Sequence, residues 1–202
     1  MKKVSYILAV FTFVLFIVLL INFEKSPFVK FDQRVSDVFY GNDFLDGFHI
    51  LGETMVIVVI ALILLVVLGL KQRNYKGMLF VLLTIGVGRG WNQVIRNWVD
   101  RPRPELASEI VSFSFPSGHA MIGMLYLFTI AYLLSKAYSN SKITMGLWII
   151  SIILTLLTGL SRLAASAHYA TDVIAGWCIA YTWFVICVAW YERRKNNTNE
   201  RT

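Results

Sequence analysis

Two of the three histidines in this 202-residue chain have neighbours that could turn an imidazole into a catalyst. His168 precedes Asp172 by four residues. Four residues of helix turn the chain by about 400°, so the two side chains would share one face. A carboxylate that accepts one imidazole N–H leaves the other ring nitrogen free to attack. This is the logic of a catalytic triad with histidine as the nucleophile. His119 closes the run Pro116-Ser117-Gly118-His119. Proline suits a helix start, and a helix N-terminus with a hydroxyl and open backbone N–H groups binds anions. His119, in that first turn, could reach the same anion. Arg96, Arg101, Arg103 and Arg162 supply planar forks suited to phosphate. Pro102 and Pro104 stiffen the loop that carries Arg101 and Arg103. The plain alternative is that these arginines snorkel to lipid headgroups. The two histidine clusters tip the balance toward phosphate chemistry.

The elements that would position these groups are membrane helices. The chain is 57% hydrophobic and 15% charged, where a soluble domain carries roughly 25% charge. A span needs about 20 apolar residues, and six segments qualify, near 4–21, 54–70, 77–95, 117–135, 143–160 and 170–190. The fold class expected is an all-α integral membrane protein, one domain over residues 1–202. The N-terminal apolar run lacks a small-residue cleavage site and reads as a retained span. Between the first two spans, over residues 22–53, Phe23, Phe28, Phe31, Val35, Val38, Phe39, Phe44, Leu45 and Phe48 alternate with Asp and Lys. That pattern predicts short amphipathic helices at the interface. Cys178 and Cys187 fall in one helical run, about 13 Å apart, too far for a disulfide.

The net charge of +7 suggests nucleic acid at first sight, but the basic residues cluster at the ends of apolar runs. With the N-terminus inside, Lys2, Lys3, Lys71, Arg73, Lys76, Lys136, Lys142, Arg193, Arg194, Lys195 and Arg201 all fall on the cytoplasmic side, opposed only by Glu192 and Glu200. This is the positive-inside pattern, and it puts both termini in the cytoplasm. The arginine–histidine cluster then faces outside, where basic residues are disfavoured unless they are paired or used.

Taken together, the three clusters resemble the type 2 phosphatidic acid phosphatase superfamily, shared with vanadium haloperoxidases. Its pattern is KxxxxxxRP, PSGH and SRxxxxxHxxxD. Pro116-Ser117-Gly118-His119 matches the second part, and Ser161-Arg162, His168 and Asp172 match the third. In the first part, Arg103-Pro104 matches and Arg96 stands in place of lysine. The charge is kept, but a fork replaces a point charge.

The resemblance implies roles. Arg96, Arg103, Ser117, Gly118 and Arg162 would bind the phosphoryl group. His168 would attack phosphorus, His119 would protonate the leaving oxygen and Asp172 would orient His168. No carboxylate cluster suited to a metal is visible in the sequence, so neither metal nor cofactor is expected. The short form resembles small bacterial lipid phosphatases of the plasma membrane, taking a lipid phosphate from the outer leaflet. Phosphatidylglycerophosphate is the leading substrate, with undecaprenyl diphosphate and phosphatidate as alternatives. An anionic-lipid carrier or a haloperoxidase would share the anion pocket. A carrier would have no need of the His168–Asp172 pair, and six spans favour lipid work over halide oxidation.

Overall fold

The computed structural model describes residues 3–107 and 112–199; Lys2, Glu200 and Arg201 of the topology reading lie outside that range. Six helices are long and apolar enough to cross a membrane. The first is α1 (Lys3–Asn22). The second is α4 (Thr54–Val66), continued by a π-helical turn to Lys71. The third joins α5 (Tyr75–Val81) to α6 (Gly88–Val99) through a π-helical turn over Leu82–Val87. The last three are α7 (Gly118–Ala137), α8 (Ser141–Ala164) and α9 (Ala170–Asn199). The expected spans all form, with ends a few residues further out. Cap residues decide those ends: the side chains of Asn74 and Asn140 accept backbone N–H groups of Gly77 and Lys142.

The long first connection is helical, as expected. Its main element is α2 (Ser26–Phe39), which has proline at its start. The short α3 (Asp43–Asp46) and a 3₁₀ turn over Gly47–Gly52 lead into α4. α2 is amphipathic: Phe28, Val35 and Phe39 pack onto the core while Val38 is exposed. Asp32 shares that inward face, which is the first surprise of the fold.

α7 is the central helix. Ala120, Met121, Leu125 and Ala131 have no exposed surface, and α7 packs against both α8 and α9. Phe80, Val81 and Ile85 of the third span meet Phe184 and Val188 of α9 around it. Between membrane helices lipid competes equally for apolar surface, so close packing and small residues carry association. Hydroxyls bridge helices too, as in the pairs Thr12–Thr182 and Thr84–Thr129, each at 3.0 Å. The outward faces of α1 and α4, with Ile7, Phe11, Leu62 and Ile63, are exposed and suit lipid.

One close approach bears directly on the site. A Cβ on Gly176 would lie 2.8 Å from the backbone oxygen of Ser117. Backbone on both sides cannot yield as a side-chain tip could. Gly176→Ala is therefore expected to lower stability by about 1–3 kcal/mol by forcing α7 and α9 apart. Gly146, with nothing near its Cβ position, is the control. A melting temperature for Gly176→Ala equal to that of Gly146→Ala would contradict this packing account.

Candidate active site

α6, α7, the α8–α9 turn and the loop after α6 bring the sequence clusters together. α6 ends at Asp100, which adopts the left-handed conformation (φ 57°) and bonds back to Arg96. An aspartate tolerates that region better than most side chains. The chain then leaves the helix as Arg101-Pro102-Arg103-Pro104. Ser114 ties this loop to the segment before α7, through its N–H to the Arg101 oxygen at 2.8 Å.

The geometry around His168 differs from the expected shared helix face. α8 ends at Ala164, and His168 lies in the turn before α9. Ser166 takes a left-handed conformation (φ 50°) in that turn. Asp172, in the first turn of α9, accepts the Tyr169 N–H at 2.9 Å through Oδ2. That is one half of a capping box, and it starts α9 just after His168. The same Oδ2 lies 3.6 Å from His168 Nδ1, a charge-pair distance slightly beyond a hydrogen bond. The pairing was legible from the four-residue spacing, but a turn-to-helix geometry creates it.

His168 is 4% exposed. Arg103 Nη1 lies 3.2 Å from its Nε2 and donates to the Ala167 oxygen at 2.6 Å. A guanidinium only donates, so Nε2 faces it with its lone pair and the ring proton belongs on Nδ1, toward Asp172. Burial holds the imidazole down at about 4, against the pull of Asp172 and with the push of Arg103 and Arg162. The ring is thus neutral at neutral pH, the form a nucleophile needs.

Arg103 is aimed by the chain around it. Its Nε and Nη2 donate to the oxygen and hydroxyl of Ser112, both at 3.0 Å. Burial and repulsion from Arg96 and Arg162 lower it to about 10, so it remains charged. Arg96 Nε donates to the Phe113 oxygen at 3.0 Å. Three arginines near one another, none with a carboxylate within ion-pair distance among the described residues, favour an anion between them.

A cavity of about 130 Å³ is lined by Arg96, Arg103, Gly118, His119 and His168, with Arg89, Asn92 and Thr54 at its edge. Gly118 leaves the space that Arg96 uses: a Cβ there would stand 3.6 Å from Arg96 Nη1 and 3.2 Å from Asn92 Oδ1. Asn92 in turn donates to the Pro116 oxygen at 3.2 Å, fixing the turn. Ser117 sits behind this wall. It is fully buried, its hydroxyl faces the Ala120 N–H at 3.5 Å, and its own N–H donates to the Asp172 oxygen at 3.0 Å. Arg162, at the end of α8, does not line this cavity; its charge acts on Arg103 and His168, and its Nε is buried without a hydrogen-bond partner.

Five contributors carry no assigned role in the sequence reading. Asn92 is one. Glu53 Oε1 lies 3.5 Å from His119 Nε2, and Gly52 packs on the same ring. Arg101 is buried rather than extended toward headgroups. It is 7% exposed, donates to Asp172 Oδ1 at 2.6 Å, and is sandwiched by the rings of Phe23 and Tyr169. Asp32, 4% exposed, accepts from Arg101 Nη2 at 2.9 Å. A signal for Asp32 existed: it follows Phe28 by four residues and precedes Val35 by three, which puts a charge on the apolar face of α2.

A six-span helical bundle that gathers a His–Asp pair, a second histidine and three arginines around one small cavity defines a phosphatase of the membrane. The chain belongs to the PAP2 superfamily, whose family model matches residues 75–196. It is 31% identical over 157 residues to phosphatidylglycerophosphatase B of Bacillus subtilis (strain 168), covering 76% of this chain and 77% of that protein. Its fold superposes on the crystal structure of a transmembrane PAP2-type phosphatidylglycerolphosphate phosphatase from Bacillus subtilis. That match has a TM-score of 0.83 at 27% identity and covers 92% of this chain and 96% of the other. The chain is a multi-pass membrane protein and a lipid phosphatase.

Proposed function

We propose that this protein, acting as a single domain, removes the terminal phosphate of phosphatidylglycerophosphate at the outer face of the plasma membrane, through a phosphohistidine and without a metal. The observation that carries the mechanism is the orientation of His168: Nε2 meets Arg103 at 3.2 Å while Asp172 stands behind Nδ1 at 3.6 Å. The name of the Bacillus subtilis relative supports the substrate. The clustering of Lys and Arg at the opposite ends of the spans supports cytoplasmic termini and an outward site.

In the first step the Nε2 lone pair of His168 forms a bond to phosphorus. The bond from phosphorus to the lipid oxygen breaks, and that oxygen takes its electron pair and a proton from His119. Glu53 Oε1, 3.5 Å from His119 Nε2, stands beside that transfer. The ring of His168 then bears a positive charge, with Nδ1–H toward Asp172. In the second step water attacks phosphorus and gives its proton to His119. The N–P bond breaks, its electrons return to Nε2, and inorganic phosphate leaves. Arg96, Arg103 and the Gly118 N–H meet the charge on the phosphoryl oxygens, Arg162 adds its positive charge beside Arg103 and His168, and Ser117 supports that turn as its cap.

A substrate panel with purified protein in EDTA tests this reading. Phosphatidylglycerophosphate is expected to be hydrolysed fastest, with turnover unchanged by the chelator. Loss of turnover in EDTA, restored by a divalent ion, would overturn metal independence. A higher kcat/KM for undecaprenyl diphosphate or phosphatidate would reassign the substrate.

A further inference from the structure

We propose that Asp32 and Arg101 are positioning residues for the phosphatase reaction: acting through Asp172, they set the orientation and charge balance under which His168 becomes phosphorylated. This rests on the assignment of His168 as the nucleophile. The contacts form one chain. His168 Nδ1 faces Asp172 Oδ2 at 3.6 Å, Asp172 Oδ1 accepts from Arg101 Nη1 at 2.6 Å, and Arg101 Nη2 donates to Asp32 Oδ2 at 2.9 Å. Asp32 also accepts from Thr171, through its N–H and its hydroxyl, both at 2.8 Å. Thr171 hydroxyl receives a further bond from Arg101 at 2.8 Å. α2 is thereby locked to the first turn of α9, one residue from Asp172.

Orientation follows directly. With Oδ1 held by Arg101 and Oδ2 also holding the Tyr169 N–H, the Asp172 carboxylate cannot rotate away from the imidazole. Charge balance follows from counting formal charges. With neutral His168, the chain of Asp172, Arg101 and Asp32 carries one net negative charge. Formation of the phosphohistidine puts a positive charge on the ring and brings the chain to neutrality. Without Asp32, Arg101 would cancel Asp172 beforehand, and the new charge would stand uncompensated in a buried place. A buried ionic network is a poor device for stability, since desolvation offsets its attraction. Its position behind the nucleophile gives it a reason in the reaction.

The test compares purified wild type, Asp32→Asn, Asp32→Glu and the double variant Asp32→Asn/Arg101→Gln. Each is assayed for kcat, for KM and for labelled phosphate trapped on His168 by rapid quench. Asp32→Asn is expected to lower kcat by about 10–100-fold, as one desolvated charge interaction does, with KM changed by less than about threefold. Asp32→Glu, which keeps the charge, should recover much of that loss. The double variant restores the net charge and should exceed Asp32→Asn in kcat by several-fold, with KM and melting temperature unchanged between the two. Wild-type kcat in Asp32→Asn, or a double variant as slow as or slower than the single one, would overturn the proposal. If Asp32→Asn does not fold, an Asp32→Glu protein that folds but turns over at less than a tenth of the wild-type rate would overturn it as well. Absence of trapped label in the wild type itself would instead remove the nucleophile assignment.

Discussion

His168→Ala is expected to release no phosphate above background, with kcat lowered by about 10⁴-fold or more, the scale seen when a covalent nucleophile is removed. That corresponds to at least about 5 kcal/mol of barrier. The structure explains why nothing nearby can substitute. Nε2 is the ring atom turned to Arg103, and Asp172 stands behind the other nitrogen. His119, which lines the same cavity, has Glu53 Oε1 3.5 Å from its Nε2, and among the described residues no other carboxylate lies within ion-pair distance of it. Loss of the ring should be tolerated by the fold. His168 lies in a turn whose backbone is held by other bonds, including Ala167 N–H to the Arg162 oxygen at 3.0 Å. The measurement is phosphate release together with a melting curve. An alanine variant that folds and turns over at even a hundredth of the wild-type rate would remove His168 from the role of nucleophile.

The second large effect belongs to Arg103. Arg103→Ala should lower kcat by about 10²–10³-fold, comparable to removing one preorganised donor from an oxyanion site. Two functions are lost at once. One is a fork aimed at the phosphoryl oxygens, held by Ser112 at Nε and Nη2. The other is the contact that keeps the His168 lone pair facing the cavity. Arg103→Lys keeps the charge but can hold neither Ser112 nor His168 in the same geometry, so it should fall between wild type and alanine. Steady-state kinetics on all three proteins decide the point. A lysine variant as slow as alanine would mean that the fork, not the charge, carries the effect. An alanine variant within tenfold of wild type would contradict the role.

These residues show where sequence reading reaches and where it stops. A membrane span is a property of a continuous run of residues, because lipid demands length and apolarity from each helix separately. All six spans and the amphipathic α2 were therefore readable one segment at a time. His168, His119, Asp172, Arg96 and Arg103 were readable because their residue types and spacings are unusual beside apolar helices. Their convergence could be expected from the resemblance, but their geometry could not. Ser117 was expected to face phosphate, and packing places it fully buried behind the Gly118 turn, where its hydroxyl caps α7.

His168 and Asp172 were expected on one helical face. The actual arrangement is a turn followed by a cap, because Asp172 uses Oδ2 to hold Tyr169 N–H. The sequence offers Arg101 as a fork for phosphate or a side chain snorkelling to headgroups, and it is buried between two carboxylates instead. Nothing local decides that. Asp32 lies 69 residues from Arg101 and 139 from Thr171 along the chain, and only docking of α2 against α9 brings them together. The sequence by itself determined the spans, the amphipathic α2 and the chemistry of the residues at their ends, because solvent preference and side-chain type act residue by residue. The tertiary structure alone decided which charges face one another, because a buried charge takes its partner from whatever element packs beside it.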